Sequence, residues 1–275
     1  MKVSVIIVTY NSEATIKNCL SSDLSSSLET EVIVVDNNSR DNTVEVIKKF
    51  PKVKIIENKE NLGFGKANNI GVKVSSGEYI FFLNPDCVVD KDSIEKLSNF
   101  LEKNDDVAVV GPKLVNNQGD LQTEMSPFPT LISEILVLIR LHRLPFFKSL
   151  VYPNYDYNKI QDTQHLMGAA LLLRRSVFEK VGTFDENFFL WFEETDLLKR
   201  ISDLEQKIIY YPETSVTHLI GQSTKQLNFI RKQTIWNKSL IYYFSKHKGW
   251  VKLLLLTPFI ILSYPAALVA SIVKR

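Results

Sequence analysis

The chain has 275 residues, 45% of them hydrophobic, with 33 basic against 31 acidic side chains and only two cysteines. That apolar share supports a sizeable core and excludes a disordered chain; Cys19 and Cys87 cannot build a disulfide scaffold, no Cys/His cluster has zinc spacing, and a reducing compartment fits best. The near-neutral total hides a split, because the first 213 residues carry 24 basic against 31 acidic side chains whereas the segment after Glu213 carries nine basic residues and no acidic one.

In chain order, VSVIIVTY (residues 3–10) reads as a buried strand, too short and too β-branched for a secretory leader. SEATIKNCLSSDL follows as a helix, and EVIVVDNNS is a second apolar strand ending at Asp36. DNTVEVIKKF has apolar residues at helical spacing and is stopped by Pro51; KVKIIEN is a third strand, and GKANNIGVKVS a helix closed by Gly77. EYIFFLN is a fourth strand that runs into Asn84-Pro85-Asp86. Asp92 is expected to cap the helix SIEKLSNFLEK, with Glu95 completing a capping box, and VAVVG is a fifth strand.

Continuous apolar strands between amphipathic helices predict an α/β fold whose mostly parallel sheet is covered by helices on both faces. Ligands bind such sheets at the carboxyl ends of the strands. The polar clusters Thr9-Tyr10-Asn11, Asp36-Asn37-Asn38-Ser39 and Asn84-Pro85-Asp86 lie at those ends and predict one site.

Beyond residue 115 the alternation loosens. TLISEILVLIRLHRLPFF is apolar with a basic tip, and reads as core or as a membrane contact. HLMGAALLLRRSVFEKVG reads as a strand and short helix, FFLWFEETDLLKRISDLEQ sets an acidic cluster at a helix start, and KIIYYPETSVTHLIGQST gives strand and loop. KQLNFIRKQTIWNKSLIYYFSKHKGW reads as a basic amphipathic helix. Residues 253–273 then carry no formal charge, close to the ~20 residues of a bilayer span. Pro258 and Pro265 are expected to kink this stretch, so a re-entrant or interfacial segment competes with a full span. The basic tail predicts a membrane surface, rather than nucleic acid, as partner.

Several residues carry two readings. Asp86 is an ordinary turn residue, or a hard carboxylate for Mg2+ or Mn2+ bridged to a diphosphate, with Asn84 against a ribose. Asp36 belongs to a helix cap with Asn38 or Ser39, or accepts hydrogen bonds from a nucleotide. Gly63 and Gly65 permit close backbone approach without forming a dinucleotide fingerprint. Glu193, Glu194 and Asp196 are a helix start stabilised by the dipole, or a carboxylate desolvated by Phe188, Phe189, Trp191 and Phe192 into a useful base. His218 is a satisfied strand histidine, or a metal ligand beside Asp86, with Gly221 and Ser223 approaching phosphate. The first strand–helix turn, TYNSEAT, lacks the glycines of a dehydrogenase and the glycine, arginine and lysine signature of a nucleotidyltransferase.

Taken in order, VSVIIVTYN, VVDNNSRDNT, NLGFGKANNIG, FLNPDC, MGAALLLRRSVFEKVGTFDENFFLWFEETDLLKR and THLIGQS resemble the inverting family-two glycosyltransferases of the GT-A fold, particularly the rhamnosyltransferase-like members that build bacterial surface polysaccharides. The resemblance implies a catalytic domain over 1–224, with a nucleotide-binding half (1–115) and an acceptor half (116–224), and a basic, hydrophobic helical tail over 225–275. It implies a nucleotide-sugar pocket of Thr9, Asn11, Asp36, Asn38, Gly63, Gly65, Asn84 and Asp86. Asp86 and His218 would hold Mg2+ or Mn2+, with Asn84 standing where the family has the first acid of its Asp-x-Asp. Glu194 would be the general base, with Glu193 the alternative and Asp196 orienting the cluster. The implied reaction moves rhamnose or another hexose from a nucleotide-diphosphate donor to a glycan or lipid-linked oligosaccharide acceptor at the cytoplasmic face of the cell membrane. A catalytically silent sugar-nucleotide-binding component of an assembly complex is the competing reading.

Overall fold

The computed structural model describes residues 2–24, 29–123, 125–219 and 228–273. Strands β1 (Lys2–Thr9), β2 (Glu29–Asp36), β3 (Val53–Glu57) and β4 (Tyr79–Leu83) lie in the order β3-β2-β1-β4, all parallel. Helices α1 (Glu13–Ser21), α2 (Thr43–Ile47) and α3 (Phe64–Lys73) lie between them in the chain. Both faces of these strands are covered, which is why their sequences are continuous apolar runs. Val5, Ile7, Val34 and Phe81 pack on one side, and Ile6, Ile33, Val35 and Phe82 on the other. The register pairs Thr9 with Asp36, Asp36 with Glu57 and Ile7 with Leu83, so the carboxyl ends come out at one edge.

The sheet continues through β5 (Cys87–Val89), β6 (Val107–Val115), β8 (Ala170–Arg174) and β9 (Lys207–His218) in the order β4-β8-β6-β9-β5, while β7 (Gln161–Asp162) pairs with β9. The predicted α/β architecture is found, with an antiparallel insertion: β8 opposes both β4 and β6, while β6 and β9 run parallel. Strand β5 is absent from the sequence reading. It forms because the chain turns at Asn84-Pro85-Asp86 and returns antiparallel to β9, setting Cys87 opposite His218.

The predicted cap of α4 (Ser93–Glu102) is corrected. Asp92 has a left-handed backbone (φ 61°) and its side chain makes no capping bond; a helix cap is normally made from an extended backbone, which lets the side chain reach the first-turn N–H groups. A capping box forms instead between Thr130 and Ser133 at the start of α5 (Leu131–Leu138).

The remaining helices are α6 (Pro145–Val151), α7 (Arg175–Lys180), α8 (Glu193–Ser202), α9 (Phe229–His247) and α10 (Trp250–Val273). Leu138 of α5, Phe188, Phe192, Leu240 and Tyr243 of α9, and Leu256 and Ile260 of α10 share one apolar cluster. Helix α10 continues as one helix through Pro258 and Pro265, the two positions at which kinks are expected. Its outer side exposes Trp250, Leu254, Leu255, Ile261 and Leu262. Among the described residues no helix is long and apolar enough to cross a membrane.

Candidate active site

Side chains sew together the carboxyl ends of β1 and β2. Thr9 Oγ1 donates to Asp36 Oδ1 at 2.8 Å, and Ser39 donates its N–H to Asp36 Oδ2 at 2.8 Å. The Asn11 N–H donates to Ser39 Oγ at 2.8 Å, and Asn11 Oδ1 accepts from the Arg40 N–H at 2.7 Å. Asn11 and Asn38 have left-handed backbones, a conformation asparagine tolerates better than most residues. Of the predicted nucleotide contacts, Asn38 is exposed and Asn11 half-buried, while Thr9 and Asp36 are buried behind them as the brace of the loop.

The two predicted glycines are closely approached, Gly63 by backbone and Gly65 by side chains, in both cases of the chain itself. Gly63 has φ +84°, and a Cβ there would stand 2.3 Å from the Phe189 carbonyl oxygen; at Gly65 it would stand 3.1 Å from the Phe184 side chain. The Phe64 N–H donates to the Phe189 carbonyl at 2.9 Å, and Asn69 exchanges two hydrogen bonds with the Phe184 backbone. Asn37 Nδ2 donates to the Gly63 carbonyl at 3.1 Å. The glycine segment therefore docks the aromatic run that precedes the acidic cluster, rather than standing open for a ligand.

At the end of β4 both readings of Asp86 have a structural counterpart. The Cys87 N–H donates to the Asn84 carbonyl at 3.1 Å, closing a turn, and the Asn84 N–H donates to the Ala169 carbonyl at 2.9 Å. Asp86 and His218 are each 4% exposed, and Asp86 Oδ1 lies 3.5 Å from His218 Nε2. Gln122 Nε2 donates to the His218 carbonyl at 2.7 Å, so Gln122 Oε1 is left as the acceptor of the second bond, 3.0 Å from His218 Nδ1. The imidazole proton consequently sits on Nδ1, and the Nε2 lone pair points toward a carboxylate oxygen. Two electron-rich atoms so placed fit a shared cation, and an imidazole oriented by a partner on its far nitrogen is the usual arrangement of a metal-binding histidine. A ligand atom of Cys87 lies with those of Asp86 and His218 in a group spanning no more than 4.8 Å. Gly221 and Ser223 lie outside the described residues.

The acidic cluster follows two consecutive left-handed aromatic residues, Trp191 (φ 65°) and Phe192 (φ 69°), which turn the chain into α8. Such strain at bulky residues persists only where surrounding packing imposes it, and here Phe192 lies against Trp236 and Tyr243. The three carboxyls then diverge. Burial opposes ionisation of Asp196, but hydrogen bonds from His247 and Lys246 and the charge of Arg200 outweigh it and hold its carboxyl below the usual range. Burial, and secondly the charge of Glu194, push Glu193 well above that range; burial also raises Glu194. Glu193 Oε2 and Glu194 Oε2 are sealed from solvent with no hydrogen-bond partner among the described residues.

A Cβ added to Gly168 would lie 3.3 Å from Cβ and Cγ of Glu194. The next residue, Ala169, receives the Asn84 N–H. Asn84 and Glu194 thus meet at one dipeptide, Gly168-Ala169, and the Asp86–His218 pair lies two residues on from Asn84 where β5 pairs with β9, whereas the Asp196 carboxylate is committed to the ion cluster that joins α8 to α9. Sequence reasoning missed Gln122, a solitary residue with no local signal that bonds His218 only through the tertiary fold.

Residues 4–182, more than half of the chain, match the family model for glycosyl transferase family 2. The chain belongs to that family. This glycosyltransferase is 25% identical over 266 residues to the N-acetylglucosaminyl-diphospho-decaprenol L-rhamnosyltransferase of Mycobacterium tuberculosis, covering 90% of this chain and 85% of that protein. It is 29% identical over 204 residues to the low-salt glycan biosynthesis hexosyltransferase Agl10 of Haloferax volcanii, covering 72% and 61%. Among solved structures it shares the fold of Staphylococcus aureus TarS 1-349, with TM-score 0.56 and 21% identity over 90% of this chain and 73% of that one. The mannosyltransferase PcManGT from Pyrobaculum calidifontis, solved with GDP-Man and Mn2+, gives TM-score 0.61 and 18% identity over 99% and 75%. The glycosyltransferase accordingly has the GT-A fold.

Proposed function

We propose that this glycosyltransferase moves rhamnose or another hexose from a nucleotide-diphosphate donor to a hydroxyl of a glycan or lipid-linked saccharide, in one inverting step of cell-surface polysaccharide synthesis. The observation that carries the reading is the buried Asp86–His218 pair, 3.5 Å apart just beyond the end of β4, together with the Glu194 side chain against Gly168, whose neighbour Ala169 accepts the Asn84 N–H. The mycobacterial relative, a rhamnosyltransferase named for a diphospho-decaprenol-linked saccharide, and the haloarchaeal relative, a hexosyltransferase of glycan biosynthesis, support the sugar and acceptor classes.

Asp86 and His218 would hold Mg2+ or Mn2+, which when bound neutralises charge on the departing diphosphate. Asn84, Asn38 and Asn11 offer hydrogen bonds to the donor at three neighbouring strand ends. Glu194 takes the proton of the acceptor hydroxyl while that oxygen attacks the anomeric carbon opposite the diphosphate, which leaves with the bonding electron pair. Burial raises the Glu194 carboxyl in the direction a base working near neutral pH requires. Glu194 is preferred to Glu193 because it lines a cavity, whereas Glu193 packs behind Gly65.

The same reading sets the enzyme on the cytoplasmic face of the membrane. Trp250, Leu254, Leu255, Ile261 and Leu262 on α10, and Phe146 and Leu150 on α6, form exposed apolar surface, with Lys148 and Lys252 nearby in sequence. Apolar helix faces flanked by lysines suit a lipid interface. The test of function is a panel of nucleotide-diphosphate sugars with Mn2+, scored by melting temperature and then by release of nucleoside diphosphate with a lipid-linked saccharide present. At least one donor should raise the melting temperature and turn over. A chain that no donor stabilises contradicts the reading.

A further inference from the structure

A cavity of about 170 Å³ lies beside Glu194, between α5, the residues after Met125, and the start of α8. Trp191, Phe192 and Trp236 form an aromatic wall, with Trp191 and Trp236 centroids 5.7 Å apart. Glu134, His165 and Glu194 also line it. Each of these three presents an atom sealed from solvent and without a hydrogen-bond partner among the described residues: Glu134 Oε2, His165 Nε2 and Glu194 Oε2. Buried polar atoms are paired in nearly all native proteins, so three unpaired ones around one cavity indicate a ligand that supplies the partners.

The lining narrows the chemistry. Among the described residues no lysine or arginine lines the cavity, which disfavours an anion, and three polar atoms unpaired among those residues disfavour a lipid chain. A pyranose ring has the matching character, with a C–H face for aromatic side chains and hydroxyls at its rim. Resting on the reading of Glu194 as base, we infer that this cavity seats the sugar ring of the acceptor, with Trp191 and Trp236 against its C–H face and Glu134 and His165 hydrogen-bonding its hydroxyls. Burial pushes the Glu134 carboxyl up to about 8 and the His165 imidazole down to about 4, so near neutral pH both present uncharged groups to uncharged hydroxyls. Ser126 Oγ, 3.1 Å from His165 Nδ1, and Ser133, beside Glu134, support the two groups.

The chain has three tryptophans, two in this cavity and the third, Trp250, exposed on α10, so their indole N–H resonances give two reporters and a control. The full chain is titrated with the methyl β-pyranosides of glucose, galactose, mannose and N-acetylglucosamine. At least one should saturably shift Trp191 and Trp236 and leave Trp250 in place. Glu134→Ala and His165→Phe should each weaken that binding about tenfold, as loss of a buried hydrogen bond does, with nucleoside-diphosphate affinity unchanged. If Glu134→Ala does not fold, Glu134→Leu, of closer volume, takes its place. The inference is overturned if no pyranoside moves the two signals, if Trp250 moves with them, or if the variants bind as the native chain does. Pyranoside binding with a fully active Glu194→Gln would keep the subsite and remove the base; an inactive Glu194→Gln with no pyranoside binding would do the reverse.

Discussion

Gln122 and His218 hold each other twice, through Gln122 Nε2 to the His218 carbonyl at 2.7 Å and His218 Nδ1 to Gln122 Oε1 at 3.0 Å. A turn over residues 116–120 folds the chain back, so that the Gln122 N–H bonds to the Leu114 carbonyl on β6, beside the end of β9. One amide thereby fixes both the ring plane and the tautomer of His218. Gln122→Leu should lower Mn2+ affinity roughly 10- to 100-fold, the usual cost of removing such a partner. Titration calorimetry or the Mn2+ spin signal measures it; unchanged affinity would mean that His218 is not a ligand.

Asp196 has no exposed surface and faces Arg200, Lys246 and His247. Asp196→Ala should destabilise the chain by about 3–5 kcal/mol, because it leaves cations buried without their partner. The folded-state carboxyls of Asp196 and of Asp185, the latter brought down to about 2 by Lys246, Asn187 and Tyr242 against burial, lie below their unfolded values. Their stabilisation is therefore full above the ordinary carboxylate range and is lost as pH falls through the depressed values. Acid unfolding of Asp196→Ala should consequently be shallower than that of the native chain.

Glu134 behaves oppositely. Its folded value of about 8 lies above the unfolded 4.5, so its contribution is fully present below pH 4.5 and is lost as pH rises through about 8. Glu134→Gln should gain melting temperature relative to the native chain across that window, with no gain at pH 4. Equal pH profiles would show that Glu134 ionises freely in the fold.

Gly63 combines φ +84° with a carbonyl oxygen 2.3 Å from any added Cβ. Gly63→Ala should cost more than about 2 kcal/mol in denaturant unfolding, since backbone strain and overpacking add. It should also weaken catalysis, because the Phe189 segment it displaces leads into α8. A stable, fully active variant would remove this coupling.

The fold was legible where burial on two faces wrote continuous apolar runs, as at Val5–Val8 of β1 and Tyr79–Leu83 of β4. Strand β5 was not, because Cys87–Val89 is too short for a period and exists only through its pairing with β9. Asp92 was misread because a capping residue announces a side chain, while the backbone angle that disables the cap has no sequence mark. In the site, Asp86, Glu194 and His218 stood out by their place in polar clusters at element ends. Gln122 and His165 stand at solitary positions that only the tertiary fold brings beside His218 and into the cavity at Glu194. Gly63 and Gly65 mark room for close approach in the sequence, but the neighbours that use it, Phe189 at Gly63 and Phe184 at Gly65, could not be known before folding.

The most direct measurement compares Glu194→Gln with the native enzyme, scoring donor affinity and sugar transfer together. Donor affinity should stay within about threefold while transfer falls roughly 10²- to 10⁴-fold, the usual contribution of a general base. Transfer at the native rate by the glutamine variant would contradict the assignment of Glu194 and the single-step mechanism built on it.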